Sequence, residues 1–152
     1  IMLNNVSLVD LTYYIILGMK KNGKGIIINI ASTAAFQPLP YMSVYAATKA
    51  FVLSFSEGLY EEYKSYGIKV TAVCPGPTST NFFDTAGLAG VGEKRTPESV
   101  VKTTFKALGK DRPYIVDGKI NYMVSQLSRF LTRKRTISTS GKVMRKILGE
   151  EM

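Results

Sequence analysis

The sequence has no histidine and no tryptophan, and cysteine occurs once, at Cys74. Without histidine, a Ser-His-Asp triad and imidazole acid-base chemistry are excluded, and most zinc and iron sites lose their usual ligand. One thiol can form neither an internal disulfide nor a cysteine metal cluster, a pattern that fits a reducing, cytoplasmic setting. Long apolar runs are also missing, since none approaches the ~18 residues that a membrane-spanning helix requires. Proton transfer must therefore rest on Asp, Glu, Lys or Tyr, and tyrosine is abundant at nine copies.

A length of 152 residues with 45% hydrophobic content suits one domain with a sizeable core. The net charge of +9 is unevenly placed. Residues 1–117 carry 12 basic and 9 acidic side chains, whereas 118–152 carry 8 basic and 2 acidic. A surplus held mainly in the tail argues against a uniformly basic nucleic-acid-binding surface.

Along the chain, apolar residues spaced three or four apart predict a helix over 2–21, ended by Asn22 and Gly23. Residues 25–31 are short, apolar and β-branched, as in a strand buried on both faces. Pro38 and Pro40 make 32–42 a loop. A second helix spans about 43–66, and 68–74 reads as a second buried strand, stopped by Pro75-Gly76-Pro77. Residues 77–96 form a long loop. Thr96-Pro97-Glu98 then combines a capping hydroxyl, a proline at the first helical position and an acid in the first turn. That helix runs to about Gly109, and 114–116 is a short third strand. The alternation predicts parallel strands joined by crossover helices, an α/β doubly wound layer. Three strands cannot cover themselves, so the free edge of the first would need a partner outside this chain.

Tyr45-Ala46-Ala47-Thr48-Lys49 places a phenol and an ammonium four residues apart, on one helix face. A nearby cation can stabilise a phenolate, which an isolated phenol forms only near pH ~10. Chance also supplies such pairs: Tyr60 and Lys64 repeat the spacing deeper in the same helix. Position separates them. Tyr45 opens the helix thirteen residues after Ser32, which ends a buried strand, and ligands of open parallel sheets bind off such strand ends. Tyr60 stands among Glu57, Glu61 and Glu62, on what reads as a solvated face with a structural role.

Ser32, Tyr45-x-x-x-Lys49 and Pro75-Gly76 followed by Thr80 together resemble the short-chain dehydrogenase/reductase family in its short form. The likeness is to bacterial 3-oxoacyl and hydroxysteroid reductases and covers about residues 1–117. It implies the C-terminal portion of a Rossmann-type doubly wound fold. The implied activity is NADP- or NAD-dependent interconversion of a carbonyl and an alcohol, with NADP slightly preferred. By this resemblance Tyr45 is the acid-base group, Lys49 lowers its pKa and binds the nicotinamide ribose, and Ser32 holds the carbonyl oxygen. Asn5 matches the helix asparagine of the proton relay, with Asn4 adjacent. Pro75, Gly76, Thr78 and Thr80 would line the nicotinamide side. A small-molecule, lipophilic substrate and a homodimer are implied as well.

The chain departs from the family at Ala31 and Ala35, which replace a serine and a frequent glycine without removing a proton-handling group. It opens on Ile1, which reads as an interior start, so the Gly-rich phosphate loop and the cofactor selector are expected to lie before it. The run Gly87-Leu88-Ala89-Gly90-Val91-Gly92 follows no strand and reads as a flexible lid rather than a phosphate cradle. The alternative reading is a non-catalytic module that pairs through its open edge and tail.

Residues 118–152 read as a basic helical extension. Positions 120, 123, 124, 127, 130 and 131 form one apolar stripe, followed by Arg133-Lys134-Arg135 and then a short second helix. The first helix either caps the domain beside the substrate loop, with the basic groups solvated, or the stripe and basic cluster together touch a membrane surface.

Overall fold

The computed structural model describes residues 1–88, 91–92 and 94–149. The chain opens with a π-helical segment, Met2–Val6, which leads into α1 (Ser7–Asn22). Strand β1 (Gly25–Ile30), a 3-10 turn (Thr33–Phe36), α2 (Ser43–Lys64) and β2 (Ile68–Cys74) follow. A short helix α3 (Phe82–Thr85) precedes α4 (Pro97–Leu108), β3 (Tyr114–Val116), α5 (Lys119–Leu127) and α6 (Arg133–Leu148). The three strands form one parallel sheet in the order β1-β2-β3, with Gly25 opposite Ile68 and Ala72 opposite Tyr114. The expected α/β layer of parallel strands and crossover helices is therefore present.

The breaks between these elements have a physical basis. Gly23 takes a left-handed conformation (φ 64°) to end α1, and Gly67 (φ 70°) does the same ahead of β2. A side chain at Gly67 would collide with the Gly23 carbonyl, so the two turns pack backbone to backbone. Thr96 caps α4 by accepting from the Ser99 amide at 3.2 Å.

Helices α1 and α2 share one face of the sheet. Ile16 of α1 and Leu59 of α2 meet Ile27, Ile68 and Val70, and Val52 and Leu53 continue the layer over Ala31, Ala72 and Cys74. Burying aliphatic side chains of this size stabilises by roughly 1.5–3 kcal/mol each. Beneath α2, the buried Asn29 amide donates to Ser56 Oγ at 2.9 Å.

The structure corrects three expectations. β2 is buried nearly throughout, but β1 is covered on one face only, and Ile26 and Ile30 are exposed on the other. An apolar run signals a strand without saying how many of its faces this chain can cover. The long loop 77–96 is partly built: it contains α3 and a parallel bridge between Thr78 and Arg95. Of the Gly-rich run, Ala89 and Gly90 lie outside the described residues, while Leu88 is buried. Finally, α6 starts at Arg133 rather than after the basic triplet, because Thr132 caps it by accepting from the Arg135 amide at 3.4 Å.

Candidate active site

The strands end in a cavity of 490 Å³ lined by residues from every part of the chain. Ser32 lies two residues past the end of β1 and caps the 3-10 turn, its Oγ accepting from the Ala34 amide at 3.1 Å. Because that bond uses an oxygen lone pair, the hydroxyl proton stays available to a second partner. Tyr45 is its neighbour across the cavity mouth. Tyr45 lies in the first turn of α2, and Lys49 stands one turn further on; both line the same cavity as Ser32.

Two opposing effects set the acidity of Tyr45. Burial pushes the phenol above its ordinary range, and a hydrogen bond with Ser32 pulls it back. The Lys49 ammonium donates to the Ile30 carbonyl at 2.8 Å and lies 5.9 Å from the Tyr45 ring centroid. Burial also pushes Lys49 below the usual amine range. The Phe82 ring packs beside Tyr45, with centroids 5.3 Å apart.

The structure brings Asn4, not Asn5, to this cavity. Asn4 Nδ2 donates to Thr48 Oγ1 at 3.1 Å, and Thr48 in turn donates to the Tyr45 carbonyl at 2.8 Å. Asn5 turns its Oδ1 into a buried position with no hydrogen-bond partner. The π-helical start explains the one-residue shift, since the Ser7 amide bonds back to the Met2 carbonyl, five residues away rather than four.

The β2 end supplies the opposite wall. Pro75, Gly76, Thr78 and Thr80 all line the cavity, as expected. The Pro75 carbonyl accepts from the Thr33 amide at 2.9 Å, and Thr78 Oγ1 donates to the Gly76 carbonyl at 3.0 Å. Gly76 faces the Asn121 amide at a separation that leaves no room for a Cβ. Asn121 is itself held by the Asp117 carbonyl at 2.7 Å. Asp117 is fully buried, pairs with Arg95 and accepts from Thr103 at 2.6 Å. Arg95 also closes the base of the loop through backbone bonds to Pro77 and Ser79 at 2.8 Å each.

The capping reading set the first tail helix beside the substrate loop, but the sequence did not single out which tail residues reach the cavity. Val124 and Ser125 of α5 and Met144 and Ile147 of α6 line the cavity. Ser128 donates to the Phe36 carbonyl at 3.0 Å and Ser140 to the Pro38 carbonyl at 2.9 Å, holding both helices on the loop before α2. The only available signal was the apolar spacing in the tail, which does not reveal its partner.

The second Tyr-Lys pair is remote. The Lys64 ammonium lies 5.4 Å from the Tyr60 ring centroid, and Lys64 and Asp111 are 2.9 Å apart at the surface. Cys74 is buried, and burial pushes its thiol up to about 12, so it is an inert core group.

A sequence model described as short chain dehydrogenase matches residues 1–88. The chain is 36% identical over 150 residues to a very-long-chain 3-oxoacyl-CoA reductase of Rattus norvegicus, covering 94% of this chain and 46% of that protein. Among solved structures, a short-chain dehydrogenase from Sphingobium yanoikuyae in complex with NADPH superposes with a TM-score of 0.74 at 28% identity. That match covers 88% of this chain and 56% of the other. A bulky-bulky ketone specific alcohol dehydrogenase from Comamonas testosteroni gives 0.65 at 28% identity, over 85% and 50% of the two chains. The chain thus spans about half the length of the relatives it matches, or less.

Proposed function

Since the chain belongs to the short-chain dehydrogenase family, we propose that it forms the catalytic half of an NAD(P)-dependent oxidoreductase interconverting a ketone and an alcohol. The observation that carries this reading is the meeting of Tyr45, Ser32 and Lys49 in one cavity at the ends of β1 and β2.

The residues fit the nicotinamide-ribose end of the cofactor. Lys49 and Thr78 offer an ammonium and a hydroxyl to its polar edge. When bound, the cofactor supplies or accepts the hydride. This chain's own groups manage the proton. Ser32 and Tyr45 hydrogen-bond the substrate oxygen, and Tyr45 Oη protonates it as negative charge develops there. In the reverse direction Tyr45 takes the proton back. Asn4 takes the relay position expected of Asn5, because it reaches the cavity and holds Thr48 beneath Tyr45. Phe82, Phe83, Leu88, Val91 and Met144 give the far wall an apolar surface suited to a lipophilic ketone. The 3-oxoacyl reductase relative favours an acyl-chain substrate, and the NADPH complex favours NADP over NAD.

Two further features complete the proposal. Leu11 and Tyr14 of α1 and Val44 and Phe51 of α2 expose apolar surface on the two long helices, which supports a homodimer. No helix among the described residues is long and apolar enough to cross a membrane, and the single buried thiol is compatible with cytoplasm.

The test is consumption of NADPH or NADH by the full-length protein with a panel of ketones, paired with titration calorimetry of both cofactors against residues 1–152 alone. Turnover with the full protein and weak or absent binding by the isolated chain are expected. No turnover on any ketone, despite cofactor binding by the full protein, would point to the non-catalytic module instead.

A further inference from the structure

The stripe of α5 faces outward. Ile120 is 76% exposed, Met123 70% and Phe130 83%, and Leu127 also reaches solvent. Such large apolar groups, grouped on one helix and its exit turn, exceed the scattered surface hydrophobes of a soluble domain. Residues 118–149 also contain eight basic side chains and not one acid. Lys119 flanks the stripe at one end and Arg133, Lys134 and Arg135 at the other, all of them exposed. Among the described residues none of these four takes part in an ion pair. Three cations in the first turn of α6 oppose its dipole, so they gain nothing from the helix they begin.

We propose that this face docks on an anionic lipid surface, with Ile120, Met123 and Phe130 entering the interface and Lys119 and Arg133–Arg135 meeting headgroup phosphates or carboxylates. Charge selects this occupant. A second copy related by a two-fold axis would set the basic cluster against itself. An anionic bilayer pairs with the cations and takes up the apolar side chains together. The location agrees, because α5 leaves β3 at the sheet edge opposite the open edge of β1. Chain pairing with β1 would leave this face uncovered. Val124 belongs both to the exposed helix and to the cavity wall, so the docking face borders the cavity. If the cavity is the substrate site, as proposed above, a membrane-dissolved ketone would reach it without crossing water.

Co-sedimentation of the full chain with vesicles tests this, using phosphatidylcholine alone and phosphatidylcholine mixed with phosphatidylserine. Binding to the mixed vesicles only is expected, weakening by about tenfold or more as salt screens the cations. Met123→Ser with Phe130→Ser, and separately Arg133→Gln with Lys134→Gln and Arg135→Gln, should each lower binding by about tenfold. Circular dichroism must show each variant folded like the parent. Absence of binding at low salt, equal binding to neutral vesicles, or binding that survives both variant sets would overturn the proposal. So would a dimer dissociated by Phe130→Ser, which would identify a second copy as the occupant. The assay contains no cofactor or ketone, so its failure is distinct from a failure of the catalytic reading.

Discussion

Asn4 and Thr48 lie 44 residues apart in sequence, yet the Asn4 amide donates to the Thr48 hydroxyl at 3.1 Å and so ties the start of the first helix to the turn that carries Tyr45. Thr48 passes the contact on to the Tyr45 carbonyl. Asn5, the residue favoured by family resemblance, has no such link. Asn4→Ala should therefore lower turnover by about tenfold or more through misplacement of Tyr45. Asn5→Ala should leave turnover within about twofold, because removing an unpartnered buried oxygen disturbs no bond. Steady-state kinetics of the two variants decide between them, and the opposite ranking would return the role to Asn5.

Gly76 and Asn121 test the cavity wall. A Cβ at Gly76 has no space beside the Asn121 amide, so Gly76→Ala should cost about 1–3 kcal/mol and weaken cofactor binding. Adding Asn121→Ala should recover part of both, because it removes the clash while giving up one bond to the Asp117 carbonyl. Urea unfolding and cofactor titration of the single and double variants measure this coupling.

Arg95 and Asp117 anchor the loop over the cavity. Arg95→Met would leave the fully buried Asp117 without its cation, and a loss of about 3 kcal/mol is expected. The loop base would loosen with it, so faster proteolysis within residues 78–95 should accompany the lower stability.

The pH dependence follows from the position of Tyr45. Its pKa is raised, so the folded protein holds the phenolic proton to higher pH than the unfolded chain does. This contribution to stability is constant below the ordinary phenol range and is lost as pH rises through the folded value. Reduction needs the protonated phenol and should be flat across neutral pH, falling in the alkaline range. Oxidation needs the phenolate and should rise over that same range. Ser32→Ala removes the group that pulls the pKa down, so both inflections should move to higher pH. Profiles of kcat/KM in each direction provide the check.

Local chemistry was readable from sequence wherever neighbouring residues decide it. The apolar runs before Ala31 and up to Cys74 marked two strands, and the Thr96-Pro97-Glu98 start marked a helix. The position of Ser32 at a strand end separated Tyr45 from Tyr60. Features decided by distant partners were not readable. The π turn at Met2–Val6 rotated Asn4 into the place expected for Asn5, which a regular helical period cannot foresee. The Arg95–Asp117 pair and the cavity-facing Met144 depend on how β3 and the tail fold back. Exposure of Ile26 and Ile30 depends on which neighbours this chain contains, and an apolar pattern is silent on that.

The central claim is that the half-buried Tyr45 moves the proton through its hydroxyl. It is tested most directly by turnover of Tyr45→Phe in the full-length protein, with Tyr60→Phe as the matched control and cofactor affinity measured for both. A fall of about 100-fold or more for Tyr45→Phe, with Tyr60→Phe unchanged and cofactor binding kept in each, is the predicted result. Near-normal turnover by Tyr45→Phe would contradict it.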